Sequence, residues 1–214
     1  NMAWSEKPLG QDDPTPLRRI KNNFEKDGLP FWWWVFPSAK SATTIDILKA
    51  ECFSFVLSLP CMLADLSLIP EGESCGAATA ISRVRNQEDL NIWKDVSFAG
   101  FDFPKATSGQ YNRFVKTFDL RADSPQRFFL AYANGQPVAT SLLFLTEKAA
   151  GIYFVTTRAE HRQKGIGLKL TQAMMQYAKI SGARFATLQS SPDGLRVYQK
   201  AGFKEYCRVD VYSL

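Results

Sequence analysis

The 214-residue sequence predicts an α/β fold built on a mixed, mostly antiparallel sheet. Three observations carry that expectation. From residue 77 onward the hydrophobic runs follow the order β-α-α-β-β-β-α-β-α-β. The pair Asn134-Gly135 divides the apolar run 127–145, a hairpin signal because both central residues of the tight turn need positive φ. Residues 150–190 read strand, turn, helix, strand, the unit that joins two parallel neighbours by a right-handed crossover.

The elements follow in order. Residues 17–38 can be laid without a gap on 171–192, with Gly28 on Gly182 and Phe31 on Phe185. LKAECFSF (48–55) resembles YQKAGFKEY (198–206) after a shift of about four residues. Helix, strand, helix, strand is therefore expected twice, the first copy lacking the basic glycine turn of the second. In the early strand, Trp32, Trp33 and Trp34 point to alternate faces, and cover on both sides would bury all three. The alternation of Phe53, Phe55 and Leu57 suits a buried strand. PEGESCG (70–76) reads as a linker. The expected organisation is an N-terminal lobe over 1–70, a linker over 71–76 and a second domain over 77–214. In the latter, 77–84 is a strand and 87–98 a helix capped by Asn86 with acidic residues in its first turn. Residues 106–119 form a helix with Tyr111, Phe114, Val115 and Phe118 on one face. The hairpin 127–145 and a strand at 150–157 follow. A helix with Ile166, Leu170, Ala173, Met174, Tyr177 and Ala178 on its apolar face then runs to Gly182. A strand at 184–190, a short helix at 192–201 and a strand at 203–213 complete the order.

Composition excludes several classes. Hydrophobic residues make up 45% and charged residues 22%, the balance of a soluble globular chain. The net charge of +5 favours an anionic ligand, but no Lys/Arg block tracks a nucleic-acid backbone. Four cysteines (Cys52, Cys61, Cys75, Cys207) without CxxC spacing, beside the single His161, argue against a metal site. No GxSxG surrounds a serine. The run 52–69 is apolar, yet Pro60 and Asp65 interrupt it, so no membrane span is expected. Free thiols and the lack of a signal peptide point to the cytoplasm. Asn1 stands before Met2, so an upstream segment is expected.

The chemistry concentrates in EHRQKGIGLKL (160–170). Between a strand and a helix, Gly165 and Gly167 let an anion approach main-chain N–H groups at a helix N-terminus, and Arg162 and Lys164 add charge. The P-loop pattern GxxxxGK[ST] is absent. The dinucleotide pattern GxGxxG fails at Leu170, which stands where the third glycine packs helix on strand. The pattern [QR]xxGx[GA] is matched by Arg162 through Gly167.

With the later YQKAGF and the element order from 77 to 213, the chain resembles the GCN5-related N-acetyltransferase family. The resemblance implies that family's fold, here preceded by a partial, degenerate copy, with the parallel strands 150–157 and 184–190 splayed apart. It implies acetyl-CoA as cosubstrate, its pyrophosphate held by Arg162, Gln163, Lys164, Gly165, Ile166, Gly167 and Leu168, and its pantetheine arm bonded by main-chain groups of Val155 and Thr157. Ser190 and Ser191 stand where the family often has an asparagine. Tyr198 matches the tyrosine that protonates the departing thiolate, and a main-chain N–H near Val155 would hold the oxyanion. Tyr153, expected to share a face with Val155, is a candidate acceptor contact. No base is assigned. Glu147 and Glu160 read as exposed acids, and His161 as a solvent-facing residue of the basic turn. The expected activity is transfer of an acetyl group to a primary amine, either a small molecule or a peptide. The expected protein is a monomer or homodimer without metal, nucleic-acid or membrane partners. The acceptor site should be shaped by the helices at 87–98 and 106–119 and by the lobe junction. Two alternatives stay open, a non-catalytic acyl-CoA-binding sensor and an acyltransferase using a longer chain.

Overall fold

The computed structural model describes residues 2–10, 15–26, 31–70 and 79–214. The elements in chain order are β1 (Met2–Trp4), α1 (Thr15–Lys26), β2 (Trp32–Val35), α2 (Ala42–Ala50) and β3 (Ser54–Asp65). Next come β4 (Ala80–Arg83), α3 (Gln87–Gly100), α4 (Ser108–Val115), β5 (Gln126–Ala133), β6 (Gln136–Leu145) and β7 (Ala149–Thr157). The chain closes with α5 (Ile166–Ile180), β8 (Phe185–Gln189), α6 (Leu195–Lys200) and β9 (Lys204–Ser213).

The chain divides into two compact units along a line other than the expected 1–70 and 77–214. The first comprises Asn1–Met62, Gln189–Pro192 and Glu205–Leu214; the second comprises Leu63–Leu188 and Asp193–Lys204. The last strand belongs with the first unit because β9 pairs antiparallel with β2, Trp33 opposite Tyr212. The expected linker 71–76, the start of the strand at 77–84, Cys75 and Gly28 lie outside the described residues.

In the first unit the strand order is β1-β2-β9-β3. Its core gathers Leu17, Phe31, Trp33, Val35, Leu48, Phe53 and Tyr212. Of the three tryptophans only Trp33 is in this core; Trp32 is 38% exposed and Trp34 half-buried. The expected burial of all three fails because the face carrying Trp32 is not covered. The same correction applies to the start of β3, where Phe53, just before the strand, is buried but Phe55 and Leu57 are exposed. That strand is also longer than its alternation suggests and carries Pro60 within it. The Pro60 carbonyl accepts the N–H of Ser190 at 2.9 Å, so the proline keeps its acceptor role while lacking a donor.

The two helix-to-strand turns that resemble each other in sequence also bond alike. Phe53 N–H donates to Leu48 O at 2.9 Å, and Phe203 N–H to Tyr198 O at 3.0 Å. Cys52 and Gly202, four residues beyond Leu48 and Tyr198, both have left-handed backbone, at φ 69° and 99°. Glycine takes that conformation without strain; a cysteine there is strained.

The second unit has strand order β8-β7-β6-β5-β4. All neighbours in it are antiparallel except β7 and β8. The hairpin turn is as expected, Asn134 and Gly135 having φ of 52° and 75°. Asn86 caps α3 by accepting the Asp89 N–H at 2.8 Å. On one side of the sheet α3 packs on β6 and β7, and Trp93, fully buried, donates its indole N–H to Ser141 O. Around Trp93 lie Val84, Leu90, Val96, Tyr111, Val115, Phe128 and Leu130. The helix expected over 106–119 is shorter. A 3-10 turn at Lys105–Thr107 leads into α4, which ends before Phe118 although that ring still packs against Trp93 and Phe128. The helix expected over 192–201 begins only at Leu195. Helix α5 packs against β6 and β7, with the Tyr177 ring against Phe129.

Candidate functional site: an open helix end beside an unzipped strand

Strand β7 pairs with β8 through only three rungs, Ala149 with Phe185, Ala150 with Ala186 and Gly151 with Thr187. Beyond Gly151 the β8 side of β7 has no strand partner among the described residues, in the place expected for the splay. On its other side β7 stays paired with β6 but gains a bulge. Leu142 faces Tyr153 and Thr140 faces Thr156, so three steps on β7 match two on β6. Phe154 takes up the extra residue with left-handed φ, 52°, and its carbonyl accepts the Thr140 hydroxyl at 3.0 Å. A bulge of this kind re-aims the strand next to a site. It also breaks simple alternation. Cross-strand partners share a face, so Tyr153 and Thr156 stand together, and the expected pairing of Tyr153 with Val155 on one face does not hold. The Tyr153 ring lies over Gly151, where an added Cβ would come within 2.5 Å of it.

After Thr157 the chain makes a 3-10 turn (Ala159–His161) and two left-handed residues, Gln163 at φ 60° and Gly165 at 77°, before entering α5. Gly165 is the N-cap of α5 and offers no side chain to its first N–H groups. Helices α2 and α3 differ, their first turns being capped by the side chains of Ser41 and Asn86. The first intrahelical bond of α5 is Lys169 N–H to Gly165 O, which leaves the N–H groups of Ile166, Gly167 and Leu168 without intrahelical acceptors. Nothing lies within 4 Å of where a Gly165 Cβ would stand, and a Gly167 Cβ would only touch the Thr157 hydroxyl at 3.9 Å. The cradle is open and positive at its floor. Gln163, Lys164 and Gly165 are exposed, whereas the Ile166 side chain is buried and only its main chain faces the turn.

The two cations of the turn also bond main-chain oxygens of the protein. Arg162 donates from Nε to Thr157 O at 3.0 Å and from Nη2 to Gly100 O at 2.7 Å. It thereby ties the end of β7 to the last turn of α3. Lys164 Nζ donates to Glu160 O at 2.9 Å. Their charges raise the local potential while these bonds tie the turn together. Sequence reasoning missed the partnership of Arg162 with Gly100, 62 residues away. Gly100 itself is forced by close approach, since a Cβ there would come within 2.7 Å of the Thr156 side chain.

The remaining expected residues are distributed as follows. Tyr198 lies on α6, half-buried, with its ring 6.1 Å from Phe203; burial pushes its phenol up to about 12. Ser190 and Ser191 fall in the first compact unit. Ser190 is buried, its N–H going to Pro60 O and its hydroxyl donating to Ser191 O, so both its donors are taken. His161 is half-buried, and Glu147 and Glu160 are exposed. Among the described residues no cluster of His, Cys, Asp and Glu is placed to hold a metal, and no helix is long and apolar enough to cross a membrane.

Solved structures share this architecture at low identity. A GCN5-related N-acetyltransferase from Kribbella flavida superposes with a TM-score of 0.70 at 18% identity, over 99% of this chain and 80% of that one. One from Sphaerobacter thermophilus gives 0.69 at 17%, over 94% and 67%. A tandem GNAT protein from the clavulanic acid biosynthesis pathway gives 0.63 at 16%, over 92% and 68%. These likenesses establish the fold. Residues 91–203, more than half of the chain and including the turn at 162–168, match the acetyltransferase (GNAT) family. The chain therefore belongs to the GCN5-related N-acetyltransferase family and has its fold.

Proposed function

We propose that this protein transfers the acetyl group of acetyl-CoA to a primary amine, using one site in its second unit. The observation that carries the reading is the N-terminus of α5, left without a side-chain cap behind two left-handed residues and directly after a strand edge without a partner. The N–H groups of Ile166, Gly167 and Leu168, with Gln163 and Lys164 beside them, would hold the pyrophosphate. The free edge of β7 at Val155 and Thr157 would bond the pantetheine arm by main-chain groups, as an added strand would. Arg162 positions this turn. Ser190 would offer an acceptor oxygen at most, since its donors are engaged, and Ser191 would make the polar contact beside it.

Acetyl-CoA supplies an activated thioester, so that a C–N bond forms to the neutral amine, the C–S bond breaks, the amine gives up one proton to water and the thiolate takes one up. A main-chain N–H near Val155, beside the bulge at Phe154, would meet the carbonyl as a donor fixed before the reaction begins. Tyr198 is protonated across the whole neutral range because its phenol is pushed up to about 12. It would act as the general acid that meets the sulfur as negative charge develops there. The earlier turn with the same hydrogen bonds has Leu48 in place of Tyr198, which supports one site and not two.

Release of CoA thiol from acetyl-CoA on addition of amines tests the reading, run beside calorimetric titration with CoA. Tight CoA binding with no thiol release for any amine would leave a binding module; absence of CoA binding would remove the site altogether.

A further inference from the structure

Five aromatic rings beside the bulge close into a circuit. Phe154 meets Phe101 at 5.8 Å; Phe101 stacks on Phe103 at 5.4 Å; Phe103 meets Tyr111 at 5.3 Å; Tyr111 meets Phe114 at 6.2 Å; and Phe114 stacks back on Phe154 at 5.9 Å. Tyr111 forms the buried side, its hydroxyl held by Ser97 at 2.6 Å. Phe101, Phe103 and Phe114 are 38%, 37% and 44% exposed. Three large apolar rings, partly open to solvent and fixed by their neighbours, are a costly surface unless something covers them. Within the stretch 101–118 one acid, the exposed Asp102 between Phe101 and Phe103, stands against three exposed cations, Lys105, Arg113 and Lys116.

We infer that the acceptor is a primary amine carried on an aromatic body with no second cationic centre. The inference rests on the acetyl-transfer reading above, because the circuit includes Phe154, the residue that carries the bulge. An aromatic ring seated on Phe101 and Phe114 gains stacking and edge contacts, and its amine is brought to the strand that holds the thioester. Polyamines and aminoglycosides need several carboxylates to take up their extra charges, and this stretch presents one against three cations.

The test compares 2-phenylethylamine with spermidine and kanamycin in thiol release from acetyl-CoA. The aromatic amine is expected to exceed both in kcat/KM by at least tenfold. Phe101→Ala and Phe114→Ala should each raise its KM about tenfold, the order expected for one lost aromatic contact, while CoA affinity by calorimetry stays unchanged. Where Phe114→Ala fails to fold, Phe114→Leu keeps the apolar volume without the ring and should raise KM severalfold. Preference for spermidine or kanamycin, or an unchanged KM in both variants, would overturn the inference and leave the acetyl-transfer reading standing. Should no amine release thiol, the acetyl-transfer reading fails. The aromatic seat is then judged by saturation-transfer NMR from the CoA-loaded protein to 2-phenylethylamine, and absence of transfer overturns it.

Discussion

Replacing Gly165 by Asp, with Asn as the matched neutral control, tests the pyrophosphate site most directly. Gly165 has φ of 77°, so any side chain there meets left-handed strain of about 1 kcal/mol, less for Asn and Asp than for other residues. No atom stands within 4 Å of the new Cβ, so steric cost is absent. A carboxylate at the N-terminus of α5 recovers roughly 0.3–1 kcal/mol from the helix dipole. The fold should therefore change by less than about 1 kcal/mol in either variant. Binding differs sharply. A carboxylate about 5 Å from a phosphate charge, at an effective dielectric of about 20, costs roughly 3 kcal/mol per charge pair. That weakens CoA by more than about 100-fold in Gly165→Asp, while Gly165→Asn stays within about tenfold of the parent. Calorimetric titration with CoA, run with urea midpoints as the check on folding, reads both quantities. The gap between Asp and Asn should narrow at high salt. Equal CoA affinity in the two variants would refute the assignment, because charge at the helix end would then be irrelevant to the ligand.

Four further outcomes are expected. Tyr198→Phe should lower kcat by roughly 100-fold, the lower end of proton-donor effects, and leave CoA affinity within a factor of two. With its phenol pushed up to about 12, no loss of activity from Tyr198 ionisation should be seen below about pH 10 in a kcat profile. Arg162→Lys should behave like Arg162→Ala, each costing about 1–2 kcal/mol in urea melts, since one ammonium cannot reproduce a fork that bonds both Thr157 O and Gly100 O. Tyr111 is buried and its phenol is also pushed up to about 12 by that burial. Because the folded state holds this proton more tightly, the stabilisation is complete below pH 10 and is lost as pH rises toward 12. It amounts to about 3 kcal/mol, so melts between pH 8 and 11 should fall off less steeply in Tyr111→Phe.

Much of the second unit was legible because its signals are local. The Asn134-Gly135 turn needs two positive φ values and has residues that tolerate them. The turn into α5 is marked by glycines whose spacing matters within six residues. The interruption of β7 was not legible in the same way. A bulge at Phe154 is a mismatch of register with β6, and nothing in the composition of 149–157 records how many residues the partner strand offers. Exposure escaped for a related reason. Trp32, Phe55 and Leu57 are apolar residues in strands, but burial depends on what covers each face, which lies elsewhere in the chain. Arg162 read as a phosphate ligand because its position is what the pattern reports. Its bond to Gly100 O comes from the approach of α3, set by the absence of a side chain at Gly100.

The bond from Arg162 to Gly100 O also bears on the order in which the chain can become structured. Helix α3 has no Lys, Arg or His in its own last turn to meet its terminal carbonyls. Its closing charge arrives from 62 residues later in the chain. During synthesis from the N-terminus, α3 emerges with a capped beginning, while the partner of its Gly100 carbonyl follows only after β5, β6 and β7 have been made. A truncated chain ending before Arg162 would thus carry α3 with Phe98 and Phe101 loosely held. The aromatic circuit likewise closes only once Phe154 of β7 has been made.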